Sequence, residues 1–189
     1  MDYLPLFFDL RGKPVLLVGG GTIALRKARL LIKAHALVRV VAPEIGHELE
    51  SRILASGGSV HREAYSERHL ENAILVISAT DHAEINERVA EDCHQRRLPV
   101  NVVDSPALCS VIMPAIVDRS PLMIGISSGG EAPVLARMVR AQIESTIPGA
   151  YNQLATFASR CRDRVKAHFA DGEARRRFWE RILSGPAKE

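Results

Sequence analysis

Three consecutive glycines, Gly19-Gly20-Gly21, stand directly behind the apolar run Val15 to Val18 and ahead of Thr22-Ile23-Ala24. The segment reads as strand, glycine turn and helix, with Gly19, Gly21 and Ala24 in the three small-residue positions of the dinucleotide fingerprint. The first glycine permits the tight turn, the second lets a pyrophosphate lie against bare backbone, and the third small side chain lets the helix sit close to the strand. The free N–H groups and positive dipole end of that helix, which begins at Thr22 and Ile23, would then face phosphates. The chemistry implied is the binding of a nicotinamide or flavin dinucleotide. A glycine run can equally make a plain turn, so the surrounding pattern has to carry the reading.

In a parallel sheet, ligands collect outside the carboxyl ends of the strands. Pro43 and Glu44 close the second apolar run, and Glu44 could reach the adenosine ribose from the loop or be a solvated loop carboxylate. No Arg follows it at once to hold a 2′-phosphate, which favours NAD over NADP. Thr80 and Asp81 follow the fourth strand, and Asp104 the fifth, where they should converge on the nicotinamide end. The approach Val100-Asn101-Val102-Val103 is expected to desolvate Asp104 in part and raise its affinity for a proton, as suits a general base. The alternative is that Asp104 merely caps the turn Asp104-Ser105-Pro106. Ser128 stands where a hydroxyl and helix N–H groups could hold a carboxylate, or could simply cap the helix. The seven histidines have no paired spacing on a helix face, so no built-in metal cage is indicated.

These residues need elements to position them. Residues 22–34 mix Ile23, Leu25, Leu30, Leu31 and Ala34 with Arg26, Lys27, Arg29 and Lys33, a one-sided helical pattern, and Leu37 to Val41 reads as a second buried strand. A short helix (48–55), a brief strand (59–62), a buried strand (74–79), a helix (83–96) capped by Asp81 and a strand (99–103) continue the alternation. That rhythm predicts an α/β fold, a parallel sheet with right-handed crossovers. The apolar runs 111–117 and 122–127, separated by Asp118-Arg119-Ser120-Pro121, predict an antiparallel hairpin, followed by a helix over 132–146. Two helical stretches, 151–169 and 173–183, and a loose tail from Gly185-Pro186 complete the chain. The expected organisation is a Rossmann domain over 1–110, a dimerisation region over 111–147, because a hairpin and one helix cannot bury their own apolar faces, and a helical region over 148–189.

The 189 residues are 47% hydrophobic and 25% charged, an ordinary globular composition. Cys93, Cys109 and Cys161 lack disulfide or zinc spacing, which fits a reducing cytoplasm. The start has no basic flank before an apolar core and no run approaches a membrane span, so the expectation is a cytoplasmic protein without membrane contact. Residues 151–189 hold nine Lys/Arg against five Asp/Glu, a basic face that could meet an anion, but no interleaved aromatics for a nucleic acid.

Several phrases together carry a resemblance: Leu4-Pro5-Leu6-Phe7; Val18-Gly19-Gly20-Gly21 with Arg26-Lys27-Ala28; Asn101-Val102-Val103-Asp104; the stretch 112–122; Ser127-Ser128-Gly129-Gly130 with Pro133 to Arg137; and Arg175-Arg176-Arg177-Phe178-Trp179. The chain resembles, over essentially its whole length, the precorrin-2 dehydrogenase and sirohydrochlorin ferrochelatase module of siroheme synthase. The resemblance implies NAD as hydride acceptor in oxidising precorrin-2, Fe²⁺ as a substrate then inserted to give siroheme, and a homodimer with a Rossmann domain, an intertwined dimerisation region and a helical C-terminal region. It also implies a polycarboxylate tetrapyrrole as ligand, with Asp104 central to both steps and Asn101 and Ser128 on the substrate side. Many such synthases continue into a uroporphyrinogen methyltransferase, for which this sequence has no counterpart. The rival readings are a dehydrogenase without chelatase activity and a non-catalytic NAD-sensing module. A short-chain dehydrogenase is disfavoured, since no Tyr is followed four residues later by Lys, and Ala42-Pro43 stands where a methyltransferase would place an acid.

Overall fold

In a computed structural model of the chain, residues 2–183 are described. They form two compact units that divide at Met113 and Pro114, three residues beyond the boundary expected from the sequence. The tail expected from Gly185 lies outside the described residues.

The first unit is a five-stranded, all-parallel sheet in the order β3-β2-β1-β4-β5, built from β1 (Pro14–Val18), β2 (Leu37–Val41), β3 (Ser59–His61), β4 (Leu75–Ser78) and β5 (Val100–Val102). Its crossovers include α1 (Thr22–Lys33), α2 (His47–Ala55) and α3 (Ala83–Gln95). Central strands buried on both sides read as unbroken apolar runs rather than alternations, and β1 shows the consequence. Val15 and Leu17 pack with α1 and α2 on one face, while Leu16 and Val18 pack with α3 on the other. The buried stripe of α1 is Ala24, Ala28 and Leu31; of the apolar residues in the expected pattern only Leu31 is fully buried, and Leu30 is exposed. Alanines win those places because α1 lies close against the sheet, where a longer side chain would overfill the space.

The second unit opens with a hairpin of β6 (Ala115–Arg119) and β7 (Leu122–Ile126), followed by α4 (Pro133–Thr146), α5 (Ala150–His168) and α6 (Gly172–Leu183). The first strand starts four residues later than expected because residues 110–111 stay with the parallel sheet, both N–H groups donating to the Val100 carbonyl. The turn is also tighter: Asp118 and Arg119 pair with Met123 and Leu122 inside the ladder, leaving Ser120-Pro121 as the connection. Asp118 still shapes it, accepting the Ser120 N–H at 2.8 Å. Among the described residues no helix is long and apolar enough to cross a membrane.

Candidate functional site

A cleft of about 1540 Å³ opens beyond the carboxyl ends of β1, β2, β4 and β5. Those ends are tied together immediately below it, with Gly19 N–H donating to Val41 O, Ala79 N–H to Val18 O, and Val103 N–H to Ser78 O. Of the residues singled out in the sequence, Gly19, Gly21, Thr22, Ile23, Pro43 and Glu44 line the cleft, as do Thr80, Asp81 and Asp104.

The three glycines answer to three different demands. Gly19 has φ +124°, and a Cβ there would stand 2.4 Å from the Ala79 carbonyl oxygen, so both conformation and space require glycine. Gly20, which the fingerprint leaves free, is the most crowded: a Cβ would meet Glu44 O at 1.8 Å, where the Gly20 carbonyl accepts the Gly46 N–H at 3.0 Å. Gly21 has neither constraint. Its φ of −89° suits any residue, and a Cβ would find nothing within 4 Å. Its bare backbone opens only onto the cleft, at the N-cap of a helix with no side-chain cap and no acidic residue in its first turn. Uncapped helix N–H groups beside a glycine that the protein itself does not need form a fitting cradle for a pyrophosphate.

Thr80 is held by a buried network that the sequence reading missed. Ser78 Oγ donates to Asn86 Oδ1 at 2.7 Å, and Asn86 Nδ2 donates to the Thr80 carbonyl at 3.0 Å. Asn86 lies on the buried stripe of α3 with Val89, Ala90 and Cys93. A polar residue at an apolar position of that spacing was the available signal. The cap expected from Asp81 is absent: Asp81 has its side chain 96% exposed, His82 occupies the N-cap, and Thr80 Oγ1 accepts the His82 N–H at 3.1 Å. The threonine hydroxyl closes a short turn onto the N–H two residues ahead.

At the other end of the cleft, Glu44 is exposed at the rim, and Arg62 lines the same space although no basic residue neighbours Glu44 in sequence. Arg62 reaches it from beyond β3, the strand beside β2, and is engaged by Glu50 Oε2 at 2.8 Å and the Ile45 carbonyl at 3.4 Å. Sheet order, not sequence distance, makes this pair neighbours.

Asp104 adopts φ +59°, a left-handed conformation that Asp tolerates better than most residues, and its side chain is exposed. The desolvation expected from its apolar approach is therefore not provided, because Val100 to Val102 end inside the sheet and the chain turns outward at Asp104. The turn is latched by Cys109, whose Sγ accepts the Val102 N–H at 3.1 Å and donates to Val102 O at 3.2 Å and Ser105 O at 3.4 Å. Burial pushes the Cys109 thiol above its ordinary range, keeping it protonated and able to donate. Asn101 does not face the cleft; it is buried, and its Nδ2 donates to Val111 O at 3.0 Å. Ser128 belongs to the second unit, where its Oγ accepts the Ala132 N–H at 2.9 Å; Ala132 is itself the N-cap of α4, which has no side-chain cap, so this bond closes the turn ahead of the helix. Lys27, read in the sequence only within the helical pattern and the resemblance, is half-buried on α1; its Nζ donates to Met113 Sδ at 3.6 Å, and burial pulls its ammonium below the ordinary range. Among the described residues no group of three or more His, Cys, Asp or Glu side chains is arranged to hold a metal ion.

Comparison with known proteins agrees with this geometry. A family profile described as putative NAD(P)-binding matches residues 6–115, one described as sirohaem biosynthesis protein central matches 119–146, and a sirohaem synthase dimerisation region matches 150–189. The last falls on α5 and α6, C-terminal to the hairpin and helix where the sequence had suggested dimerisation. The chain is 64% identical over 189 residues to a siroheme synthase of Saccharophagus degradans, covering all of this chain and 41% of that protein. It is 58% identical over 186 residues to one of Pseudomonas fluorescens, covering 98% and 40%. It thus spans about two fifths of the length of these curated relatives. Among solved structures, SirC, a precorrin-2 dehydrogenase, superposes with a TM-score of 0.79 at 25% identity, covering 97% of this chain and 90% of that one. The glycine cradle, the five-stranded parallel sheet and these matches in sequence and structure place the chain in the siroheme synthase family, within its NAD(P)-binding, central and dimerisation regions.

Proposed function

We propose that the chain carries out the NAD-dependent oxidation of precorrin-2 to sirohydrochlorin and the insertion of Fe²⁺ to give siroheme. The observation that carries this reading is a single cleft holding an uncapped helix start with an unforced glycine, Gly21, together with an exposed carboxylate, Asp104. Thr22 and Ile23 N–H groups and Gly21 would hold the pyrophosphate, Pro43 and Glu44 the adenosine end, Gly19 the turn, and Thr80 the nicotinamide end. NAD, when bound, supplies the acceptor for a hydride. The chain's own part is the proton: oxidation removes two hydrogens, one with its electron pair and one as H⁺, and Asp104 accepts the latter. In metallation two pyrrole N–H protons leave as Fe²⁺ enters as substrate; the same carboxylate, exposed to water, takes one and passes it to solvent, and the other leaves to solvent water.

The second unit supports an acidic ligand. Arg162, Lys166 and Arg175, with one carboxylate, Asp163, line a cleft of about 550 Å³ beside Trp179, a net basic surface. Ser128 Oγ, already an acceptor, keeps its hydroxyl proton to donate to a substrate carboxylate. Asn101 serves the site indirectly, by fixing the segment at Val111. The protein acts as a homodimer, with a second copy covering the exposed row Val134 (59%), Leu135 (56%) and Met138 (64%) on α4. Light scattering at micromolar concentration is expected to return a dimer, and a monomer would remove that part of the proposal.

The decisive assay follows NADH absorbance with precorrin-2 and NAD. Asp104→Ala is expected to abolish turnover while NAD binding persists, and near-normal turnover would place the base elsewhere. Binding of NAD with no turnover by the parent protein would favour a sensing module. Anaerobic incubation with sirohydrochlorin and Fe²⁺ tests the chelatase step, and a rate no greater than the protein-free control would leave a dehydrogenase alone.

A further inference from the structure

A polar pair crosses the apolar contact between β4 and α3. Ser78 is fully buried at the end of β4, and Asn86, 8% exposed, shares the buried face of α3 with Val89, Ala90 and Cys93. Ala and Leu would pack the same space without taking a hydroxyl and an amide out of water, a transfer that costs free energy unless both groups are bonded. The bonding has one direction. A carbonyl can only accept, so the Asn86 group 3.0 Å from Thr80 O is the Nδ2 donor; its Oδ1 then faces Ser78, whose hydroxyl must donate, at 2.7 Å.

This line of bonds ends at the cleft. Ser78 O accepts the Val103 N–H and Ala79 N–H donates to Val18 O, within the sheet, whereas the Thr80 carbonyl one residue further on is held by a side chain, that of Asn86. Thr80 Oγ1 accepts the His82 N–H at 3.1 Å and so keeps its hydroxyl proton to donate. Thr80 and Asp104 line the cleft, and Ser78 and Asn86 do not. Whatever the buried pair does for the chemistry is therefore exerted through Thr80.

We propose that Asn86, oriented by Ser78, is a positioning residue that fixes Thr80 so that its hydroxyl donates to the carboxamide oxygen of a bound nicotinamide and sets the ring for hydride transfer. The inference rests on the reading of Thr80 as standing at the nicotinamide end. Ser78 bonds Asn86 through its side chain and, through its carbonyl, the segment leading to Asp104, so the hydride end and the proposed proton acceptor are referred to one buried residue.

The test compares NAD with ADP-ribose, which keeps the adenosine, pyrophosphate and ribose but has no nicotinamide, by calorimetric titration of the full chain. In Asn86→Leu, which matches the amide in shape, NAD is expected to bind about fivefold more weakly, the loss of one neutral hydrogen bond, with ADP-ribose at the parent value. NADH formation from precorrin-2 should lose roughly ten- to hundredfold in kcat, the scale of a misplaced reactant, with the KM for precorrin-2 unmoved. The unfolding midpoint should fall by about 5 °C, since Ser78 is left with a buried unpaired hydroxyl, and should return toward the parent in the double variant Ser78→Ala, Asn86→Leu, where both polar partners are gone. The NAD-specific loss should persist in that double variant, because the Thr80 carbonyl is still released. Recovery of NAD affinity together with stability shows a merely structural role and overturns the inference, as does an equal weakening of NAD and ADP-ribose, or an unchanged ratio of the two in Asn86→Leu. If Asn86→Leu does not fold, the double variant carries the comparison alone. Thr80→Val, which removes the hydroxyl, separates the two claims: parent behaviour there defeats the placement of the nicotinamide at Thr80 together with this inference, whereas a loss in Thr80→Val beside an unaffected Asn86→Leu defeats only the latter.

Discussion

Substituting Gly21 and Gly20 separately by alanine divides ligand binding from folding one residue apart. At Gly21 the new methyl meets no protein atom within 4 Å and φ is −89°, so the fold should be indifferent, with an unfolding midpoint within a degree or two of the parent. The same methyl stands where the pyrophosphate must approach the N-terminus of α1. Losing one charge-assisted hydrogen bond there costs about 1.5–3 kcal/mol, roughly a ten- to hundredfold weaker NAD affinity. At Gly20 the methyl would lie 1.8 Å from Glu44 O, well inside van der Waals contact, so the turn must open and the Gly46 N–H to Gly20 O bond at 3.0 Å is lost. Overpacking of about 1–3 kcal/mol plus about 1 kcal/mol for the bond gives roughly 3 kcal/mol, a fall in the midpoint on the order of 10 °C. Circular dichroism melts and calorimetric titration with NAD, run on both variants, read the two effects. A Gly21→Ala protein that binds NAD as tightly as the parent would refute the assignment of that backbone to the pyrophosphate, whatever Gly20→Ala does.

Two further outcomes follow from the same geometry. Arg62 lines the cleft but its guanidinium is engaged by Glu50, so Glu50→Gln should free it for a 2′-phosphate and raise NADP affinity relative to NAD by about threefold, the scale of an exposed ion pair; an unchanged ratio of dissociation constants would count against Arg62 facing that end. Burial, and then Asp92, pushes the Cys93 thiol up to about 12 from an ordinary 9.0. Because the folded value lies above the unfolded one, the neutral thiol's contribution is intact below pH 9 and is lost as pH rises from about 9 toward 12. Urea midpoints should fall between pH 8 and pH 10.5 in the parent and fall less in Cys93→Ala, and equal slopes would show that Cys93 ionises no differently in the native state.

The parallel sheet was legible because its central strands β1 and β4 are near-continuous apolar runs and β2 is interrupted only by Arg39, the pattern of strands buried on both faces. The cleft rim was legible for the same reason, since strand ends are where such a sheet collects ligands, and Gly21, Glu44, Thr80 and Asp104 lie there. What escaped was whatever depends on lateral neighbours. Arg62 reaches the cleft only because β3 pairs with β2, and Asn86 holds Thr80 only because α3 packs back over β4. The expected burial of Asp104 failed because hydrophobicity along a chain says nothing of the direction it takes after the last ladder bond, and here φ +59° turns it into solvent.

That exposure bears on mechanism. An exposed carboxylate is screened from water only by a ligand that covers it. The chain fixes the backbone there with Cys109 and leaves that cover to the arriving ligand. On the proposed reading, such a site shields Asp104 only when the macrocycle is bound, which ties its proton transfer to the presence of substrate.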